Sequence, residues 1–222
     1  MENLICLENI SKHYVVGDTT VKALDDVNLS ISRGAFTAIL GDSGSGKSTL
    51  LNILGCLDKA TSGAYYFEGE NTQVMTEKEL SRLRGRKIGF IFQGFHLLPA
   101  LTAYENIMAA LQYAGVRQDR EKRTLQALEQ VGLLHRRNHM PHQLSGGQQQ
   151  RVAIARVIAQ NPKIILADEP TGNLDSKTAE EIIKILLSLH SEGRTILLIT
   201  HDEKIAARIP DRIYIKDGRI SK

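Results

Sequence analysis

Nine consecutive residues, Gly41, Asp42, Ser43, Gly44, Ser45, Gly46, Lys47, Ser48 and Thr49, fit the pattern Gly-x-x-x-x-Gly-Lys-Ser/Thr. A triphosphate must be held without bulky side chains between it and the backbone. Glycines let a loop wrap so that successive N–H groups point inward, and a helix opening at Gly46 adds the free N–H groups of its first turn. In that arrangement Lys47 carries a mobile positive charge to the β- and γ-phosphates. The Ser48 hydroxyl ligates Mg²⁺, and Thr49 helps cap the helix and hold the α-phosphate. The apolar run Phe36–Leu40 precedes the loop, and Leu50, Leu51, Ile53 and Leu54 follow at helical spacing. A chance glycine-rich turn lacks that strand-loop-helix context.

A second group of reactive residues lies about 120 positions later, where Asp168 and Glu169 close the apolar run that begins at Ile164. Ligands of α/β sheets bind at the carboxyl ends of strands, so this pair and the cradle can face one site. Asp168 would hold Mg²⁺ through water. Glu169 would orient or deprotonate an attacking water, which suits hydrolysis. The plainer alternative is a strand-end carboxylate making a turn before Pro170 and Gly172. His201 closes a third apolar run in Ile199, Thr200, His201, Asp202. It can hydrogen-bond a γ-phosphate or a water, or it can be structural. His13, His96, His135, His139, His142 and His190 are taken as surface or core residues.

Several elements must position these groups. Leu4–Leu7, Val21–Leu24 and Val27–Ile31 have strand patterns, the last with period-two alternation. Phe36–Leu40 is continuously apolar, as a strand buried on both faces requires. A helix is expected from Gly46 to Leu57, strands over 65–67 and 88–92, and a helix over 76–83 with a Thr76/Glu79 capping box. Helices over 103–114, 120–131 and 149–159 would form a helical subdomain, 94–160, inserted in the core. Strands over 164–168 and 195–200, with helices over 176–189 and from 202 to 207, complete the alternation of a largely parallel α/β sheet.

The bulk properties exclude several classes. The chain has 222 residues, suited to one domain. With 28 basic and 25 acidic residues it is nearly neutral, so no nucleic-acid partner is called for. Cys6 and Cys56 read as two reduced, buried thiols without a zinc motif. No secretory leader is evident at the start, and no apolar run approaches the roughly 20 residues of a membrane span. If the chain works at a membrane, it must dock to another protein there.

Leu144, Ser145, Gly146, Gly147 and Gln148 open a helical pattern and form a second cluster of backbone N–H groups suited to an anion. One triphosphate needs one cradle, so a second makes sense if it serves a nucleotide held by another subunit. This pentapeptide is the signature of ABC ATPases, and the whole chain resembles that superfamily. Its landmarks occur in order: Tyr14, the loop 41–49, Gln93, the signature, Asp168 with Glu169, Asp175 after Asn173 and Leu174, and His201. Within it, the runs 44–58, Phe92 with Gln93 before Leu97 to Pro99, and 168–175 are similar to the macrolide-exporter and lipoprotein-release branch (MacB/LolD type).

The resemblance implies a P-loop NTPase core (1–93 and 161–222) with an N-terminal antiparallel β subdomain and the helical signature subdomain at 94–160, all one ATPase domain. It implies that two copies close head to tail around two ATPs. Each site would then take its cradle from one chain and Ser145, Gly147 and Gln148 from the other. Tyr14 would stack on adenine, or else simply pack. Gln93 would touch Mg²⁺ or the water, and Asp175 would bind across the dimer. The partner implied is a membrane permease of MacB/FtsX-like type at the cytoplasmic face of the membrane, with a periplasmic or extracellular adaptor reached through it. The segment Phe95–Leu101 would dock that permease, or form ordinary core. Cargo could be a peptide, drug or lipoprotein. Ala35 and His96 depart from the branch's commoner Glu and Asn.

A P-loop kinase has no use for the signature, a DNA-repair ABC ATPase needs a long coiled-coil insertion, and a translation ABC ATPase carries two cassettes. A non-transporting motor acting on a membrane partner, as in the cell-division members, is the alternative that the sequence leaves open.

Overall fold

The computed structural model describes residues 3–221. In chain order the elements are β1 (Asn3–Val16), β2 (Thr19–Ser32), β3 (Phe36–Leu40), α1 (Lys47–Leu54), β4 (Ser62–Phe67), β5 (Glu70–Asn71), α2 (Glu77–Lys87), β6 (Ile88–Phe92), α3 (Ala103–Tyr113), α4 (Arg120–Gln130), α5 (Gly146–Gln160), β7 (Ile164–Asp168), α6 (Ser176–Ser191), β8 (Thr195–Ile199), α7 (Glu203–Ala206), β9 (Asp211–Lys216) and β10 (Arg219–Ser221). They form two compact units. One comprises the residues before 82 with those after 191, and the other residues 82–191.

The first unit holds an antiparallel sheet ordered β2-β1-β4-β5 and a second group of strands ordered β10-β9-β3-β8. The two short strands read at 21–24 and 27–31 are one 14-residue strand, β2. Buried positions alternate at Val27, Leu29 and Ile31 but lie three apart between Leu24 and Val27. A bulge with Asp26 at φ 56° absorbs the extra residue, and Asn9 on β1 takes φ 51°. Asn and Asp tolerate that left-handed conformation. The Asn9 amide donates to Asp26 Oδ1 at 2.6 Å, stapling the bend.

Every residue of β3 and β8 is buried, as their unbroken apolar runs demand. β3 pairs in parallel with β8 on one side and β9 on the other. The hairpin β9-β10 went unread in the sequence, because its short alternation follows directly on a polar stretch.

In the second unit β6 and β7 pair in parallel, and α3 and α4 pack on α5. Ile107 and Leu111 of α3, Leu128 of α4 and Ile154 of α5 are fully buried. The helices fall where periodicity places them, with shifted ends. α1 stops at Leu54 rather than Leu57, because Gly55 caps it and the N–H groups of Leu57 and Asp58 turn back to the Asn52 carbonyl. α2 has the expected Thr76/Glu79 capping box but continues to Lys87. Both cysteines are thiols outside any disulfide. Cys56 is buried, but Cys6 is only half-buried, since its strand position faces a polar margin between Glu8 and Ser30.

Candidate active site

β3 delivers the chain into residues 41–46, and α1 leaves at Lys47. Two glycines are dictated by space. A Cβ on Gly41 would run into the carbonyl oxygen of Ile215 on β9. On Gly46, at φ 108°, it would lie 2.5 Å from the carbonyl of Ala23 on β2. Gly46 is the N-cap and no side chain caps the helix. This corrects the expectation that Thr49 caps it: Thr49 lies inside the first turn, and its hydroxyl faces the Tyr14 phenol. The N–H groups of that turn therefore have no partner within the helix. They present partial positive charge where an anion is stabilised.

Lys47 is buried, and its ammonium donates to the carbonyls of Gly41 at 2.8 Å and Asp42 at 2.6 Å. The loop thus holds the charge inside the cradle. The Ser45 hydroxyl is buried there without a hydrogen-bond partner. Glycines shaped by close approach, uncapped N–H groups, a held ammonium and an orphan hydroxyl together fit a polyphosphate. Asp42, Ser43, Gly44 and Ser48 are exposed along the loop and first turn.

The same unit places His201 and Tyr14. Ile39 pairs with Ile199, so Gly41 and His201 follow neighbouring strand ends in matching register. His201 is exposed, and Asp202 caps α7 beside it. Tyr14, on β1, donates its phenol to Asp58 Oδ2 at 2.9 Å. The Lys12 ammonium lies 4.9 Å from its ring centroid. Burial first, then the bond to Asp58, pushes the Tyr14 pKa up, so the phenol stays a donor.

The other predicted residues belong to the second unit. Phe92 pairs with Asp168, so Gln93 and Glu169 leave adjacent strand ends side by side. Glu169 takes φ 43°, a left-handed turn directly after the strand. Gln93 donates its amide nitrogen to Asn173 Oδ1 at 3.0 Å, which leaves its amide oxygen for a cation or a water. Asn173 returns a bond to the Gln93 carbonyl at 3.2 Å. Magnesium favours oxygen donors and is usually held by one or two carboxylates with phosphates. The Ser48 hydroxyl, the Gln93 oxygen and Asp168 have that chemistry. No cluster of three or more His, Cys, Asp or Glu among the described residues would hold a metal alone.

Ser145 is the N-cap of α5, in a reciprocal box. Its hydroxyl accepts from the Gln148 N–H at 3.3 Å, and the Gln148 side chain accepts from the Ser145 N–H at 3.0 Å. The N–H groups of Gly146 and Gly147 remain for an anion. A Cβ on Gly147 would run into the Thr178 methyl. Thr178 in turn donates its hydroxyl to Asp175 at 2.6 Å, and its N–H bonds the same carboxylate at 3.0 Å. Asp175 therefore caps α6, and the Thr178 bonds hold its pKa below the ordinary range. Leu144 is buried behind the turn.

Sequence reasoning missed the residues that join these loops. Gln150 is fully buried and donates to the carbonyls of Phe92 at 3.3 Å and Pro170 at 2.7 Å. It thereby ties the signature helix to the backbone before Gln93 and after Glu169. Its signal was a polar residue in phase with Gly147, Ile154 and Val157 on the apolar face. Arg156 donates to the carbonyls of His96 at 2.6 Å and Phe95 at 3.2 Å, and burial lowers its pKa. Asn106 bonds the Leu98 N–H and the Leu98, Leu101 and Thr102 carbonyls. Phe95–Leu101 is therefore anchored through its backbone, while Leu98 is 46% exposed.

A parallel α/β core whose strand runs through a glycine loop into a helix defines a P-loop NTPase. The chain belongs to the ABC transporter family and is an ATPase of that kind: the family profile, described as ABC transporter, matches residues 24–172. It is 51% identical over 220 residues to the macrolide export ATP-binding/permease protein MacB of Bartonella quintana, 99% of this chain and 33% of that protein. The chain thus spans about a third of the length of the MacB relatives. It is 50% identical over 226 residues to the ABC transporter ATP-binding protein MJ0796 of Methanocaldococcus jannaschii, 99% of this chain and 96% of that one. A dimeric, post-hydrolysis structure of MJ0796 bound to ADP and Pi superposes with a TM-score of 0.90 at 47% identity, over 98% of this chain and 97% of that one. Among the described residues no helix is long and apolar enough to cross a membrane.

Proposed function

We propose that this chain binds and hydrolyses MgATP as one half of a head-to-tail dimer and couples that cycle to a separate membrane permease of MacB-like type. The observation that carries the reading is that one chain presents two glycine-rimmed helix N-termini, at α1 and at α5. One bound triphosphate engages one of them. The other, within the helical part 94–160, serves a nucleotide on a second copy.

In this reading the Lys47 ammonium moves from the loop carbonyls to the β- and γ-phosphates, and the N–H groups from Gly44 to Thr49 line the chain of phosphates. Tyr14 stacks on the base. Ser48 and the Gln93 oxygen, with Asp168 through water, would hold Mg²⁺, which when bound would neutralise phosphate charge. Glu169 orients the water and accepts its proton. His201 hydrogen-bonds the γ-phosphate. Ser145, Gly147 and Gln148 of the second chain close the site, and Asp175 lies at that interface. Loss of the γ-phosphate removes the bridge and the dimer opens.

Phe95–Leu101, anchored by Arg156 and Asn106 yet exposed at Leu98, is the surface for the permease. In this reading the chain works at the cytoplasmic face of the membrane, with any adaptor and the cargo contacted through the permease.

The test is size-exclusion chromatography of Glu169→Gln with and without MgATP. The expected result is a monomer that shifts to a dimer with ATP. A variant that stays monomeric at saturating MgATP and high protein concentration overturns the model. Co-purification of the chain with its permease from membranes tests the coupling.

A further inference from the structure

We propose that Asp58, together with Lys12, is a positioning residue that fixes the Tyr14 ring relative to the phosphate cradle, so that base and phosphates are held at one set separation. The inference rests on the reading of Tyr14 as the platform for the base.

Asp58 uses both carboxylate oxygens. Oδ2 accepts the Tyr14 phenol at 2.9 Å. Oδ1 accepts the Lys12 ammonium at 2.7 Å and the Lys59 N–H at 2.7 Å. Lys12 also donates to the Lys59 carbonyl at 2.8 Å and lies 4.9 Å from the Tyr14 ring centroid. One ring face is thus taken by a cation, which leaves the other for a base. Asp58 is itself fixed to α1, because its N–H and that of Leu57 bond the Asn52 carbonyl at 3.2 and 2.8 Å.

The helix that opens at the cradle therefore also anchors the aromatic ring through the segment that follows it. Its first turn contributes the Thr49 hydroxyl, which faces the same phenol. A tyrosine at a strand end near the β1-β2 turn would otherwise rotate freely about its side-chain bonds. Here the phenol is held at its far end, 44 residues away in sequence. Ordering the ring before the nucleotide arrives removes an entropic cost from binding.

The experiment compares Tyr14→Ala, Tyr14→Phe, Asp58→Ala and the Tyr14→Phe/Asp58→Ala pair, reading KM for ATP, kcat and the inhibition constant of inorganic tripolyphosphate. Tripolyphosphate probes the cradle alone because it has no base. Tyr14→Ala is expected to raise KM for ATP about tenfold, the scale of one base-aromatic stack. Asp58→Ala and Tyr14→Phe are each expected to raise it about threefold, the scale of one hydrogen bond. The pair should be no worse than either alone, with inhibition by tripolyphosphate unchanged.

The proposal is overturned if Tyr14→Ala raises KM while Asp58→Ala and Tyr14→Phe do not. It is also overturned if Asp58→Ala weakens tripolyphosphate as much as ATP, since Asp58 would then be holding the cradle. A Tyr14→Ala enzyme with normal KM instead defeats the platform reading itself. Should Asp58→Ala fail to fold, Tyr14→Phe leaves the Lys12–Asp58 pair intact and carries the test alone.

Discussion

At the scale of single residues the site is a set of charges held ready by backbone. Lys47 is buried and bonded to two loop carbonyls, so its ammonium is already inside the cradle when a phosphate arrives. Charge-assisted hydrogen bonds contribute about 1.5–3 kcal/mol. Lys47→Ala is therefore expected to weaken ADP or ATP binding by about ten- to a hundredfold by calorimetry. Asp175 supplies a pH signature. Its pKa is lowered in the fold, first by the Thr178 hydroxyl and then by the Thr178 N–H. Glu105 is lowered by the Thr102 N–H and hydroxyl. At Asp58 burial raises the value, but the bonds from Lys12, Tyr14 and the Lys59 N–H outweigh it. Groups lowered on folding favour the fold above their unfolded pKa, and that contribution is lost as pH falls through the folded value. The melting temperature is expected to drop as pH goes below about 4. Asp175→Asn should flatten that drop while changing stability little at neutral pH, because Asn also caps helices.

At the scale of elements, α5 is what holds the second unit's loops together. Gln150 bonds the backbone on the far sides of Gln93 and Glu169, and Gly147 lies against Thr178. Replacing Gln150 by Leu leaves two carbonyls without their donor, at roughly 1–3 kcal/mol for a buried unsatisfied group. The expected outcome is a stability loss of about 2 kcal/mol in urea, with hydrolysis slowed more than nucleotide affinity is reduced. Unchanged turnover would mean that Gln150 only holds the fold. Gly147→Ala should destabilise by about 1–3 kcal/mol through overpacking. The added Cβ meets the Thr178 methyl, and serine lacks that methyl while keeping the hydroxyl on Asp175. Thr178→Ser should therefore restore most of the loss, which denaturation of the double variant would reveal.

At the scale of the whole molecule, the chain carries two glycine-rimmed helix N-termini, at α1 and α5, and the proposed function belongs to a pair of chains. A ligand at a hundred times its dissociation constant stabilises a protein by about 2.7 kcal/mol. If nucleotide also joins two copies, the Glu169→Gln protein should melt at a temperature that rises with protein concentration in MgATP and stays constant without it. Concentration-independent melting under both conditions would point to a monomer that binds ATP alone. The wild-type chain should show the same trend more weakly, because hydrolysis removes the bridging phosphate.

Much of this was legible from sequence because the responsible interactions are local. The loop from Gly41 to Thr49 is strand, glycines and helix start within a few residues, so its chemistry follows from residue type and spacing. The buried strands β3, β7 and β8 announce themselves as unbroken apolar runs. The Thr76/Glu79 box needs only residues three apart. Other features could not be read this way. A bulge at Asp26 made one strand look like two, since period-two alternation loses phase at an inserted residue. The hold of Asp58 on Tyr14, of Gln150 on two carbonyls and of Thr178 against Gly147 each joins residues far apart in the chain. The sequence by itself determined the glycine loop and helix start at Gly41–Thr49, the elements proposed to cradle a polyphosphate. Only the tertiary structure decided what fixes the cradle's surroundings, because partners at long sequence separation are chosen by strand order and packing, which no local pattern encodes.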